Sequence, residues 1–216
     1  MITDIHSHFL PGIDDGAKDA DTALKMMRMS CEQGVDNLIA TPHYYLNIPL
    51  DEFCRRRQES LESLGELAGG VPNVYLWAET FYTPQLRYLD NLDRLLLNGR
   101  LLLELPFEDV SKSAISDIEY MISSLGVDVV IAHIERCSKY EALLEMNVGI
   151  QVNAASVKNL KVRNLIKKGY VDYVASDMHG LDRRPPNLMQ ALDFVERKYE
   201  DAYAHIIRSS NALVGK

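Results

Sequence analysis

Apolar residues fall along the chain in short continuous runs separated by amphipathic stretches. Runs at residues 3–6, 37–41, 73–78, 101–105, 128–132, 149–152 and 172–175 read as seven strands. They are apolar on both faces, as parallel strands covered by helices should be. Between them, Ala20, Ala23, Leu24, Met27 and Cys31 recur at helical spacing through residues 20–33, and Gly34 stops the pattern. Residues 50–67 read as a polar, Arg- and Glu-rich helix closed by Gly69 and Gly70. Further helical stretches cover residues 113–125, 140–146, 157–167 and 188–198. This alternation continues without a break in composition, so the expected organisation is one α/β domain over residues 1–216. A doubly wound sheet and a closed barrel share the pattern, and in both the chemistry gathers at the C-terminal ends of the strands.

The residues at those ends are chemically selective. The first strand ends in Asp4-Ile5-His6-Ser7-His8, the second in Thr41-Pro42-His43 and the third in Ala78-Glu79. Glu104 closes the fourth, His133 follows the fifth, and Asp177-Met178-His179 follows the last. Five of the six histidines lie at such ends; His205 is the exception. His6 and His8 are two apart, so an extended strand turns both to the same side, and Asp177 with His179 repeats the spacing. A carboxylate within the apolar run at 101–105 needs a partner or a cation if buried. Imidazoles mixed with carboxylates, without a cysteine cluster, imply a multinuclear site for zinc, manganese or iron.

Composition narrows the function further. Thirty-one acidic residues against 23 basic ones give a formal charge of −8, which disfavours a nucleic-acid partner. No stretch approaches 18 uncharged apolar residues, and no basic or apolar leader opens the chain, so a cytoplasmic location without membrane insertion is expected. Cys31, Cys54 and Cys137 read as reduced thiols at unrelated spacings. None is followed, with five residues between, by the arginine that a thiol nucleophile's phosphate-binding loop would need.

The run His6-Ser7-His8-Phe9-Leu10-Pro11-Gly12-Ile13-Asp14-Asp15-Gly16 resembles the polymerase and histidinol phosphatase (PHP) superfamily. Ala40-Thr41-Pro42-His43, Glu79, Glu104 with Pro106, Ala132-His133-Ile134-Glu135-Arg136, Gln151-Val152-Asn153-Ala154 and Ala175-Ser176-Asp177-Met178-His179 extend the likeness in order along the chain. More narrowly, the sequence is similar to the bacterial manganese-dependent protein-tyrosine phosphatases of capsular and exopolysaccharide synthesis. Ile134 replaces a common proline and Ala155 a common glycine, changes that touch loop shape and leave every ligand position filled.

The resemblance implies a distorted seven-stranded (β/α) barrel with three divalent ions in its mouth, manganese first, with Zn²⁺ or Fe²⁺ served by the same donors. It implies that His6, His8, Glu79 and Asp177 hold one ion, Glu79, Glu104 and His133 a second, and Asp15, His43 and His179 a third. Arg136 and Arg184 match phosphate-contacting arginines, Arg183 being the bystander, and Asp14 is either a proton donor or a support for the ligands. Phe9, Tyr44, Tyr45 and Phe107 adjoin ligand-bearing segments and are candidates for an aryl pocket. The implied reaction is phosphotyrosine hydrolysis by metal-activated water, on the tyrosine-rich tail of a membrane-associated polysaccharide-assembly kinase. A small-molecule phosphomonoesterase such as histidinol phosphate phosphatase, a nucleotide phosphoesterase, and a non-catalytic metal-dependent regulatory protein are the alternatives.

Overall fold

The computed structural model describes residues 1–65 and 70–215. Its parallel strands alternate with helices in the order β1 (Thr3–Ser7), α1 (Ala20–Glu32), β2 (Asn37–Ala40), β3 (His43–Tyr44), α2 (Leu50–Glu62), β4 (Asn73–Leu76) and β5 (Glu79–Phe81). There follow β6 (Arg100–Glu104), α3 (Lys112–Leu125), β7 (Asp128–Ile131), α4 (Glu141–Leu144), β8 (Gly149–Asn153), α5 (Leu160–Lys167), β9 (Tyr173–Ala175), α6 (Leu188–Lys198) and α7 (Glu200–Ala212). One sheet runs β1-β2-β4 and the other β3-β5-β6-β7-β8-β9.

Two of the expected strands are bent, which reconciles seven runs with nine segments among the described residues. β2 and β3 are successive halves of one path broken at Pro42, which has no N–H for the ladder. β4 and β5 are halves of the next path, broken at Trp77 and Ala78. The Trp77 N–H donates to the Ala40 carbonyl at 2.8 Å and the Glu79 N–H to the Pro42 carbonyl at 3.1 Å, so the two bends stay in register. Trp77 is fully buried, and its indole N–H reaches the Arg100 carbonyl at 2.9 Å, filling the space between β4 and β6. At the rim the curl closes: the Asp177 N–H donates to the His6 carbonyl at 3.0 Å and the His8 N–H to the Met178 carbonyl at 2.9 Å.

Apolar residues form two layers around this wall. Ile5, Ile39, Trp77, Leu102, Val130 and Ala175, drawn from six strand paths, pack together as an inner plug. The larger layer lies between the strands and the helices, with Met26, Met27, Ile118, Met121, Leu192 and Val195 wholly or almost wholly buried. A register shift between Asp4 and Ser7 interrupts the alternation of β1. Neighbouring Ile5 and His6 are thereby both buried, one in the plug and the other in the polar cluster above it.

The helix expected to reach residue 67 ends at Glu62, and its expected terminus at residues 67–69 lies outside the described residues. Residues 154–156 form a 3-10 turn, so α5 starts at Leu160 rather than 157. α4 is trimmed to Glu141–Leu144 from the expected 140–146. α7 was not expected; it follows α6 across Tyr199 without a glycine or proline to mark a new element. It seals the β1–β9 seam, where Thr3 donates its hydroxyl to Asn211 at 2.7 Å. Among the described residues, no helix is long and apolar enough to cross a membrane.

Candidate metal centre

The rim where the curl closes brings all nine sequence-predicted ligands together. Glu79 is the hub. Its Oε2 lies 3.1 Å from His6 Nε2, His8 Nε2 and His43 Nδ1, and its Oε1 lies 2.7 Å from His133 Nε2. Glu104 Oε1 stands 3.5 Å from His133 Nε2, and its Oε2 3.8 Å from His43 Nδ1. Asp177 Oδ1 faces His6 Nε2 at 3.6 Å and His8 Nε2 at 3.7 Å. On the outer side, Asp15 Oδ1 lies 3.5 Å from His43 Nε2 and 3.3 Å from His179 Nε2.

These donors form three overlapping groups compact enough to hold ions: His6, His8 and Asp177; His43, Glu79 and Glu104; and His8, Asp15, His43 and His179. His43 therefore stands between the second and third groups and offers one ring nitrogen to each. The Asp15 side chain is 63% exposed whereas Glu79 is 1% exposed, so the cluster opens to solvent past Asp15.

The donor set fits divalent cations. His43 Nδ1, Glu79 Oε2, His133 Nδ1 and His179 Nε2 are buried without a protein hydrogen-bond partner, a costly arrangement for polar atoms. Burial and the adjacent Glu79 carboxylate push the Glu104 carboxyl up to about 8. Burial works against the charged form of Glu79 as well, but the surrounding imidazoles, His6 first, outweigh it and hold the carboxyl well below its ordinary range. Two buried carboxylates gathered at one point are what a bound cation compensates.

Ring orientation is set from outside the cluster, as for metal-binding histidines generally. His8 Nδ1 sits 2.8 Å from Asp14 Oδ2, and His179 Nδ1 2.9 Å from the Asp177 carbonyl. His6 Nδ1 lies 3.3 Å from Gln151 Oε1. Each partner turns the Nε2 of its ring toward the centre. His133 and Asp177 adopt left-handed backbone conformations, φ 31° and 51°, which cost energy in residues other than glycine and persist only where surroundings impose them.

The structure places Asp14 beneath His8 rather than at the open mouth. Its carboxylate accepts from the Gly16 N–H at 2.9 Å and the His43 N–H at 3.1 Å as well as facing the His8 ring. Burial opposes its ionisation, yet the His8 contact prevails and holds the carboxyl below its usual range. This geometry suits a support for ligands.

Both candidate arginines reach the cluster. Arg136 Nη2 donates to Asp177 Oδ2 at 2.5 Å. Arg184 spans Asp177 Oδ2 at 3.3 Å and Asp15 Oδ2 at 3.4 Å, while Arg183 is exposed. Lys161 donates to the carbonyls of Glu135 and Cys137, at 2.9 and 2.7 Å, and so fixes the backbone on both sides of Arg136. Of the four aromatic candidates, Phe9 and Tyr44 are buried in the core. Tyr45, 41% exposed, lies with its ring centre 5.6 Å from that of His43, and Phe107, 62% exposed, stands edge-on to His133 at 5.8 Å. Cys137 is buried, and burial pushes its thiol up to about 11, which leaves it inert as a nucleophile at neutral pH.

A curled parallel α/β barrel with buried His, Asp and Glu clusters at the C-terminal ends of its strands defines a metal-binding barrel protein. The sequence profile for capsular polysaccharide synthesis, CpsB/CapC, matches residues 2–214, and the chain belongs to that family. It is 29% identical to tyrosine-protein phosphatase CpsB of Streptococcus pneumoniae over 91% of this chain and 90% of that protein. It is 28% identical to tyrosine-protein phosphatase YwqE of Bacillus subtilis over 98% of this chain and 90% of the relative. Among solved structures, the work on YwqE from Bacillus subtilis and CpsB from Streptococcus pneumoniae, described as unique metal-dependent tyrosine phosphatases, supplies a match with TM-score 0.81 and 26% identity. That match covers 99% of this chain and 94% of the other. D-hydantoinase from Thermus sp., at 10% identity and TM-score 0.58, shares the fold alone over 98% of this chain and 70% of its own.

Proposed function

We propose that the protein is a metal-dependent protein-tyrosine phosphatase linked to capsular polysaccharide synthesis, with the rim cluster as its active site. The observation that carries this reading is the juxtaposition of the buried Glu79 hub with Arg136 and Arg184 at one open mouth, in a chain of the CpsB/CapC family. His6, His8, Glu79 and Asp177 would hold one ion, Glu79, Glu104 and His133 a second, and Asp15, His43 and His179 a third. When bound, the ions supply positive charge for the phosphoryl oxygens and acidify the attacking water. Manganese is the proposed metal, with Zn²⁺ or Fe²⁺ compatible with the same donors.

The chain's own groups do the remaining work. Arg136 and Arg184, which lean on Asp177 Oδ2 here, present planar forks that match phosphate oxygens. Asp14 holds the His8 ring with its Nε2 inward. Tyr45 lies next to His43 and Phe107 next to His133, where either ring would contact an aromatic leaving group. An aryl phosphate is the proposed substrate class, ahead of histidinol phosphate or a nucleotide, in line with the tyrosine-protein phosphatases this chain resembles. The proposed substrate is the tyrosine-rich tail of a polysaccharide-assembly kinase, met in the cytoplasm.

Hydrolysis of a tyrosine-phosphorylated peptide, histidinol phosphate and a phosphodiester, each with and without Mn²⁺, tests the proposal. The expected result is Mn²⁺-dependent cleavage of the phosphopeptide, abolished in His6→Ala. Failure of the metal-loaded protein to cleave any phosphomonoester, with His6→Ala behaving identically, overturns it.

A further inference from the structure

Among the described residues, β8 is the one strand path that offers no candidate ligand; β1, β3, β5, β6, β7 and β9 each carry or adjoin at least one. It offers instead Gln151, fully buried, and Asn153, 6% exposed, two residues apart and turned to one side of the strand. Gln151 Oε1 accepts from the His133 backbone N–H at 2.7 Å and lies 3.3 Å from His6 Nδ1. Gln151 Nε2 donates to Asn153 Oδ1 at 2.9 Å, and Asn153 Nδ2 donates to Asp177 Oδ2 at 2.7 Å.

The polarity of this chain of amides follows from one group. A backbone N–H can only donate, so Gln151 must turn its oxygen to His133 and its nitrogen to Asn153. Asn153 must then present oxygen to Gln151 and nitrogen to Asp177. Because Gln151 Oε1 accepts, the proton of the His6 ring is placed on Nδ1, and the Nε2 lone pair is left to face Glu79 and Asp177. Because Asn153 donates to Oδ2, Asp177 turns Oδ1 to the histidines. The two ends of the relay also grip His133 and Asp177, the two candidate ligands with left-handed backbones.

We propose that Gln151 and Asn153 act as one positioning unit, which orients His6, His133 and Asp177 at the C-terminal ends of three different strands and sets the metal affinity of the centre. This rests on the metal-dependent reading of the site. Orienting partners of this kind change metal affinity by about 10- to 100-fold when altered. Gln151→Glu and Asn153→Asp are close in size to the native residues, and each replaces a donor with an acceptor and so breaks the relay.

Mn²⁺ titration by calorimetry on the full chain, with circular dichroism of the metal-free proteins, provides the test. Each variant is expected to bind Mn²⁺ about 10- to 100-fold more weakly while keeping the wild-type metal-free spectrum. The double variant should lose little more than either single one, because one break already disables the unit. At saturating Mn²⁺, KM for a phosphotyrosine peptide should stay within about threefold of wild type, which a general disturbance of the mouth would not allow. Wild-type affinity in both variants overturns the proposal, as does loss of the fold in both, which would make the pair structural. Absence of Mn²⁺ binding by the wild-type protein overturns the metal reading itself, whereas tight wild-type binding with unaltered variants overturns only the relay.

Discussion

The carbonyl oxygen of His8 occupies the space a side chain on Gly16 would need: a Cβ at Gly16 would lie 1.9 Å from that oxygen and 2.6 Å from His8 Cβ. The Ala17 N–H donates to the same oxygen at 2.9 Å, so the loop that carries Asp14 and Asp15 is folded directly against the ligand strand. Gly16→Ala must push this loop away from His8. We expect a loss of about 1–3 kcal/mol in stability, the usual cost of overpacking, together with weaker Mn²⁺ binding. Urea unfolding and metal titration of the variant measure both.

Arg136 and Arg183 should separate cleanly. Arg136 reaches Asp177 within the cluster, whereas Arg183 is exposed on the loop beyond His179. Arg136→Ala removes charged hydrogen bonds worth about 1.5–3 kcal/mol each, so kcat/KM for a phosphopeptide should fall about 10- to 100-fold. Arg183→Ala should leave it within about twofold, a limit set by the small effects of exposed residues. Steady-state kinetics at saturating Mn²⁺ checks the contrast.

Phe107→Ala should weaken aryl substrates selectively. Loss of one aromatic contact of about 0.5–1.5 kcal/mol corresponds to a KM increase of roughly 2- to 12-fold for phosphotyrosine peptides. Inhibition by inorganic phosphate, which has no ring to hold, should stay unchanged. Equal effects on both would remove Phe107 from the aryl site. The guanidinium carbon of Arg136 lies 5.3 Å from the centre of the Phe107 ring, so a Phe107→Leu variant serves as the control for lost packing against that arginine.

Metal removal should invert the response of stability to alkaline pH. In the metal-free protein, burial and Glu79 raise the Glu104 carboxyl to about 8, so its stabilising proton is lost as pH climbs toward that value. Burial lowers the basicity of His8, but Asp14 and Glu79 more than compensate and lift the ring to about 10; its contribution, complete below about 6.5, is likewise lost as pH rises. Between pH 6.5 and about 8 both act in one direction, above that His8 continues alone, and the Tm of the chelator-treated protein should fall up to pH 9. With Mn²⁺ bound, the ions keep these groups deprotonated, and Tm should hold or rise over the same range. Differential scanning calorimetry with and without chelator distinguishes the two curves.

Most of the donor cluster was legible because its members sit at or immediately after an apolar run, where a parallel sheet exposes its chemistry. His6 with His8, and Asp177 with His179, needed only a spacing of two. β3 and β5, at two and three residues, are too short for periodicity to register, and only the break at Pro42 hints at the first. The place of His43 between two donor groups depends on which ring nitrogen faces which carboxylate, and nothing local encodes that. Gln151 and Asn153 stood out as a motif, but their task exists only because β8 lies between β7 and β9, a fact of topology. Among the aromatics, neighbourhood in the chain could not separate Phe9 and Tyr44, which point into the core, from Tyr45 and Phe107, which do not.

The closure of β1 against the segment after β9 has a consequence for timing. His6 and His8 are synthesised before the rest of the donor set, and Asp177 and His179 after it. No nascent chain that stops short of Asp177 owns a complete inner group. Capture of an ion by the His6, His8 and Asp177 group is thereby a mark of a barrel whose first and last strands have met. The same long-range closure makes the final seam slow to find, since contacts far apart in sequence fold late.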